Sequence, residues 1–143
     1  TPTQIIPNGI PELDIDQNKF KRIPNRLLFN ADPSRELDFT LNCFAKIQEQ
    51  IPDASLVLFR KQEFNEDIIG KIGKLKNVIC FGKVSPEKMA EEFCKTDIWF
   101  YPTNVPETFC ICALEAQKYG AVNACTNIGG MATTVTYQIN TEN

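Results

Sequence analysis

The sequence predicts an α/β domain: a doubly wound parallel sheet in three α/β/α layers. Three observations lead there. Short β-type runs and helical runs alternate along the chain, the order that a parallel sheet with crossover helices requires. The β-type runs are continuously apolar, as strands covered on both faces must be. A chain of 143 residues, 43% hydrophobic and 23% charged, is also the size and make-up of one ordinary globular domain with enough apolar mass for a core.

Residues 1–25 are rich in Pro, Asn and Asp and read as a leading segment, with a turn at Pro7-Asn8-Gly9. A first strand over 26–31 is broken by Asp32-Pro33-Ser34-Arg35. The helix over 36–50 shows Leu37, Leu41, Phe44 and Ile47 at spacings of three and four. Pro52-Asp53 turns the chain into a second strand over 55–59. The helix over 65–74 is weakened by two interior glycines, Gly70 and Gly73. A third strand over 77–81 is closed by Gly82. Ser85-Pro86-Glu87 marks a helix start, a capping serine followed by proline at the first helical position. That helix runs to Lys95 with Met89 and Phe93 on one face. Residues 97–101 make a fourth strand with Trp99 in the core. The next helix is expected to open at Glu107 and close at Gly120, a C-terminal glycine. Residues 121–125 make a fifth strand and 127–130 a loop, and 133–139 reads as a further strand or a frayed helix. No internal repeat, low-complexity tract or interdomain linker interrupts the chain.

The commonest doubly wound order sets the first strand beside the fourth, and ligands bind at the carboxyl ends of the strands where the winding reverses. That rule selects two loops, 30–35 and 103–107, which hold Arg35 and Glu107. An arginine there, backed by the free N–H groups of a helix start, suits a diphosphate; the bland alternative is a solvated arginine beside Glu36 and Asp38. Glu107, in the expected first helical turn, either complements the helix macrodipole or accepts from ligand hydroxyls. A carboxylate has acceptor capacity only, which fits the donating hydroxyls of a sugar or ribose. Glu115, eight positions later, sits among Ala113, Leu114 and Ala116. A buried unpaired carboxylate is costly, which favours a ligand role, while an exposed stripe shared with Lys118 is the ordinary reading. Gly129-Gly130 permits a close backbone approach to a ligand or forms a simple turn. Lys71, Lys74 and Lys76 read as a solvated helix face.

Several function classes are excluded or demoted. A net charge of -3 gives no electrostatic footprint for nucleic acid. No apolar run approaches the roughly 20 residues that span a bilayer. Residues 1–12 lack the basic and apolar regions of a signal peptide, and without an initiator Met the chain is expected to be a piece of a longer protein. Of six cysteines, Cys43, Cys80, Cys94 and Cys112 fall in expected strands or helices, where they can pack as small hydrophobes. All six are expected to be reduced and the protein cytoplasmic. Cys110 and Cys112 stand about 200° apart around a helix and do not face one metal; no metal is expected. The absence of histidine removes the usual general base and every Ser/His or Cys/His nucleophile, so part of an enzyme's chemistry would lie elsewhere. No G-x-G-x-x-G follows the first strand and no P-loop is present, which removes the nicotinamide-dinucleotide and P-loop readings.

With these residues in view, the chain resembles the C-terminal, donor-binding domain of a GT-B retaining glycosyltransferase, of the family four (glycosyltransferase group 1) type. Pro106-Glu107-Thr108-Phe109-Cys110 through Leu114-Glu115-Ala116 to Gly120 is similar to that family's P-E-[ST]-F-G-x-x-x-L-E-A-x-A-x-G, with its E-x7-E pair. Ile6-Pro7-Asn8-Gly9-Ile10 resembles the I-P-N-G lead into the domain, and Arg35-Glu36-Leu37-Asp38 resembles R-G-L-D. Asn77 to Gly82 followed by Val84 resembles N-V-x-F-x-G, and Asn127 to Gly130 resembles the S-x-x-G-G loop. The matches come in family order and cover about residues 6–135.

The resemblance implies a Rossmann-like half of a GT-B fold whose acceptor-binding N-terminal domain is missing from this chain. It implies that Glu107 holds donor-sugar hydroxyls, helped by backbone N–H groups around Thr108, Phe109 and Cys110. Glu115 would accept from the ribose, Arg35 would bind the diphosphate and stabilise leaving-group charge, and Lys83 and Val84 would border the base. Gly130 would lie at the donor. The implied reaction moves a sugar from a nucleotide-diphosphate sugar, such as a UDP or GDP sugar, to a glycan or glycoconjugate, with retention and without a metal, in the cytoplasm or at the membrane surface through the missing domain. The fragment alone is expected to transfer little. Four departures stand against the pattern. Asn30 replaces an arginine after the first strand. Glu36 and Cys110 replace glycines, and Thr133 replaces a glutamate. Those at Asn30, Glu36 and Thr133 motivate an alternative, a non-catalytic module that acts as a scaffold or partner-binding domain. A flavodoxin-like binding domain is the remaining reading.

Overall fold

In the computed structural model, which describes residues 3, 4, 6–59 and 62–135, five short strands form one parallel sheet. They are β1 (Arg26–Phe29), β2 (Ser55–Phe59), β3 (Val78–Phe81), β4 (Ile98–Tyr101) and β5 (Val122–Cys125), in spatial order β3-β2-β1-β4-β5. The first strand therefore lies beside the fourth, with Leu27 opposite Ile98 and Leu28 opposite Trp99. Every residue of β1 is buried, because this strand is central and covered on both faces.

The crossovers are α1 (Leu37–Gln50), α2 (Glu66–Lys74), α3 (Pro86–Lys95) and α4 (Ile111–Lys118). From β1 the chain winds outward to β3, then returns to β4 and winds the other way to β5. Right-handed crossovers in opposite directions set successive helix pairs on opposite faces, and α1 packs beside α2 while α3 packs beside α4. Leu37, Leu41 and Phe44 of α1, Phe93 of α3, and Ala113 and Ala116 of α4 are buried against the sheet residues Leu28, Leu56, Val57, Leu58 and Trp99. The helix starts expected near residues 65 and 85–86 hold. The Asn65 side chain accepts from Ile68 N–H at 2.9 Å and Ser85 Oγ from Lys88 N–H at 3.2 Å, with Pro86 in the first turn.

The leading segment is mostly exposed but tied down at one end. Arg22 donates to the carbonyls of Thr96 and Tyr119, both at the amino-terminal side of the sheet. Beneath it a buried Arg26–Glu92 ion pair is surrounded by Lys88 and Lys95.

Several expectations change. The helix expected from Glu107 begins at Ile111 instead. Cys110 takes a left-handed conformation, φ 64 and ψ 78, which interrupts helical dihedrals, and Glu107 bridges Gly129 as a short parallel pairing. Cys110 is therefore not a helical residue, and the angular separation from Cys112 does not apply. Cys80 is exposed on the edge strand β3 and does not pack inside. Of the segment 133–139, residues up to Thr134 close a single turn, α5 (Met131–Thr134); residues 136–139 lie outside the described residues. Lys71 is not merely solvated, since it pairs with Asp38 of α1.

Candidate functional site

The switch between β1 and β4 opens into a cavity of about 220 Å³ at the carboxyl ends of the strands. Asn30 and Arg35 reach it from the β1–α1 loop, Tyr101 from the end of β4, and Glu107 and Cys110 from the β4–α4 loop. Arg35 and Glu107, both predicted from topology, meet there: Arg35 Nη1 lies 2.9 Å from Glu107 Oε1. Arg35 is thus neither a free solvated arginine nor one paired with its sequence neighbours. Its side chain remains 38% exposed, against 20% for Glu107.

Tyr101, which sequence reasoning passed over, completes the group. Its hydroxyl donates to the same Glu107 Oε1 at 2.6 Å. Burial pushes the Tyr101 phenol well above its usual range, and the hydrogen bond to Glu107 pushes it further, so it stays a protonated donor at any physiological pH. The ring is wedged between Trp99, 5.1 Å away, and Phe29, 6.0 Å away. Trp99 Nε1 in turn donates to Asn30 Oδ1 at 2.9 Å. Asn30 is 4% exposed, so the residue that departs from the family arginine serves as the acceptor for a buried indole. A sequence signal for Tyr101 exists: a hydroxyl at the last position of an otherwise apolar strand that ends at the switch.

The backbone of the Glu107 loop is fixed by the glycine pair. Gly130 N–H donates to the Glu107 carbonyl at 2.6 Å. A methyl group at Gly130 would stand 2.3 Å from the Thr108 carbonyl oxygen, and one at Gly129, where φ is +62, would stand 2.5 Å from that of Glu107. The close backbone approach inferred for this pair is real, but the partner is the chain's own loop rather than an open ligand surface. Thr134 Oγ1 adds a bond to the Phe109 carbonyl, so α5 buttresses the same loop.

Cys110, in the cavity lining, and Cys125, at the end of β5, are poor nucleophiles. Burial pushes Cys110 up to about 12 and Cys125 up to about 11, which leaves both as neutral thiols at pH 7. Among the described residues no group of three or more His, Cys, Asp or Glu is arranged to hold a metal ion. No helix among them is long and apolar enough to cross a membrane.

The remaining predicted residues are spread more widely. Glu115 is half-buried one turn into α4 and does not line the cavity; its charge reaches Tyr119 on the next turn. Lys83 is exposed and Val84 half-buried, after β3 at the opposite edge of the sheet from β5. Thr108 is exposed and Phe109 half-buried beside Gly130. A wider cleft of about 870 Å³ lies between the start of α1 and α2. Asp38, Glu63, Glu66 and Asp67 line it with Lys71 and Lys74, and Lys71 is paired with Asp38, so carboxylates outnumber lysines there.

The family described as Glycosyl transferases group 1 matches residues 19–140. Among solved structures, the chain is similar to a pneumococcal O-GlcNAc transferase, GtfA, in complex with UDP and GlcNAc: 13% identity, TM-score 0.71, 87% of this chain and 25% of that one. It is similar to Anabaena HepE in complex with UDP and glucose at 16% identity and TM-score 0.67, over 88% of this chain and 40% of that one. For the sucrose-phosphate synthase of Thermosynechococcus elongatus the values are 17%, 0.62, 83% and 35%. These likenesses establish the Rossmann-like α/β fold of a GT-B glycosyltransferase domain. The chain spans about a quarter to two fifths of those structures. No curated protein matches it significantly.

Proposed function

We propose that this chain, which belongs to the glycosyl transferases group 1 family, is the nucleotide-sugar-binding half of a retaining glycosyltransferase. The intact enzyme would move a sugar from a nucleotide-diphosphate sugar to a glycan or glycoconjugate held by a second domain. The observation that carries this reading is the meeting of Arg35 and Glu107, 72 residues apart in sequence, in the cavity at the β1–β4 switch. That position is where doubly wound sheets bind their ligands.

Each residue then has a chemical task. Arg35, in a cavity that the first turn of α4 also lines, attracts the diphosphate. As the bond from the anomeric carbon to the diphosphate oxygen breaks, its electron pair stays on that oxygen, and Arg35 stabilises the growing charge. Glu107 accepts from donor-sugar hydroxyls, and the backbone of Thr108, Phe109 and Cys110 frames them. Gly130 supports that loop, Glu115 meets the ribose, and Lys83 and Val84 border the base. No residue of this set asks for a metal, and the reaction is proposed to proceed without one.

A second reading, a non-catalytic module, is favoured by two observations. The arginine expected after β1 is a buried Asn30, and Arg35 already spends its charge on Glu107. Calorimetric titration with UDP, GDP and ADP, beside Glu115→Ala, tests the donor-site reading. Saturable binding of one nucleotide that weakens several-fold in the variant is the expected result; a folded chain that binds none of the three at millimolar concentration overturns it.

A further inference from the structure

We infer that Tyr101 is a positioning residue for Glu107: it holds the carboxylate in place when Arg35 leaves it for a ligand, and thereby sets recognition of the sugar rather than of the nucleotide. The inference rests on the donor-site reading above and goes beyond it by dividing the two partners of Glu107 into one that exchanges and one that stays.

The division follows from burial. Both donors use the same oxygen, Tyr101 OH at 2.6 Å and Arg35 Nη1 at 2.9 Å from Oε1. Among the described residues Oε2 takes no hydrogen bond, which leaves it as the acceptor for a ligand hydroxyl. The Arg35 side chain is 38% exposed on a flexible stem, and a diphosphate competes for it with more charge than one carboxylate. Tyr101 is 2% exposed and has no such freedom. Its ring is fixed by Trp99 and Phe29, and Trp99 is fixed through its indole N–H by Asn30. The hydroxyl is therefore aimed at Oε1 by packed side chains, and the Glu107 backbone is separately held by Gly130. A carboxylate held at its backbone and at one oxygen keeps its other oxygen in a fixed direction, which is the requirement for selective hydroxyl recognition.

Two arms test this with wild type, Tyr101→Phe, Glu107→Gln, Arg35→Met and the double variants that combine Glu107→Gln with each of the others. The first arm needs no ligand. A denaturant-unfolding cycle between Tyr101 and Glu107 is expected to show clear coupling, and the cycle between Arg35 and Glu107 much less. The second arm compares each nucleotide diphosphate with its sugar conjugate: UDP with UDP-glucose, GDP with GDP-mannose, ADP with ADP-glucose. Tyr101→Phe removes one hydroxyl and keeps the ring. It is expected to lose nucleotide-sugar affinity on the order of tenfold more than nucleotide affinity. Arg35→Met is expected to lose both together. Absence of Tyr101–Glu107 coupling overturns the inference, and so does an equal loss for nucleotide and nucleotide sugar in Tyr101→Phe. If wild type binds none of the six compounds, the donor-site reading falls and takes the sugar role of Tyr101 with it, a result separable from failure of the variant alone.

Discussion

Glu36 and Cys110 occupy positions where the family pattern has glycine, and the structure gives both positive φ: 66 at Glu36 and 64 at Cys110. For an L-residue the left-handed region costs about 1–2 kcal/mol. Glu36→Gly removes that cost. The greater freedom of glycine in the unfolded chain returns about 0.4–1 kcal/mol, and loss of a negative charge at the start of α1 returns about 0.3 kcal/mol. Glu36 caps α1 without a side-chain hydrogen bond, so no cap bond is lost. The balance is a net stabilisation of roughly 0.5 kcal/mol, or about 2 °C in Tm for a chain of this size. Cys110→Gly gains the same backbone relief but also removes a half-buried thiol, worth on the order of 1 kcal/mol; its balance is about zero or slightly negative. The assay is urea unfolding of wild type, both glycine variants and Glu36→Ala, with the m-value required to stay constant. Glu36→Ala keeps the Cβ and therefore the strain, so it gains nothing. If it proves as stable as Glu36→Gly, the effect belongs to the charge and the backbone argument is wrong.

Other outcomes follow from the same structure. Gly130→Ala, whose methyl would meet the Thr108 carbonyl at 2.3 Å, is expected to destabilise the chain by about 1–3 kcal/mol and to displace the Glu107 loop, read as altered amide shifts over 107–110 by NMR. Burial alone would raise the Glu92 carboxyl, but hydrogen bonds from Lys88 and Lys95 and the Arg26 charge hold it below the usual value. Its folded pKa is depressed, so its stabilisation is complete above the unfolded value of about 4.3 and is lost as pH falls through the lower folded value. Glu92→Gln leaves Arg26 buried without its counter-charge; it is expected to cost about 3–5 kcal/mol at pH 7 and to flatten the acid limb of a stability–pH curve.

The strands and helices were legible because apolar side chains write them directly. The runs Arg26-Leu-Leu-Phe and Ser55-Leu-Val-Leu-Phe can do little but form covered strands, and Asn65, Ser85 and Pro86 punctuate the helices as cap chemistry demands. The switch-point rule then placed Arg35 and Glu107 at the cavity without any contact being known. What periodicity could not display is conformation set by distant backbone. The start of α4 moved to Ile111 because Cys110 is left-handed and Glu107 pairs with Gly129, 22 positions away. Asn30 read as a lost cation, and its bond to Trp99 depends on a strand pairing that only the fold creates. Tyr101 looked like one more apolar strand residue, since its ring is core and only its hydroxyl belongs to the site.

The shared oxygen on Glu107 has a thermodynamic consequence for a donor site. While Arg35 holds Oε1, a sugar hydroxyl meets a carboxylate whose charge is partly neutralised. When a diphosphate draws Arg35 away, Glu107 keeps only the Tyr101 bond and regains acceptor strength. Occupancy of the phosphate position should therefore favour occupancy of the sugar position, and linkage makes the effect reciprocal. An exposed ion pair is worth about 0–1 kcal/mol, so the coupling is expected to be at most about fivefold. Titration of free glucose in the absence and presence of saturating UDP measures it directly, with Arg35→Met as the control. In that variant there is no pair to exchange, so the dependence on UDP should vanish while glucose alone binds no worse. If the dependence persists in Arg35→Met, the two ligands communicate by touching each other and not through Glu107, and exchange of the ion pair is not the linking step.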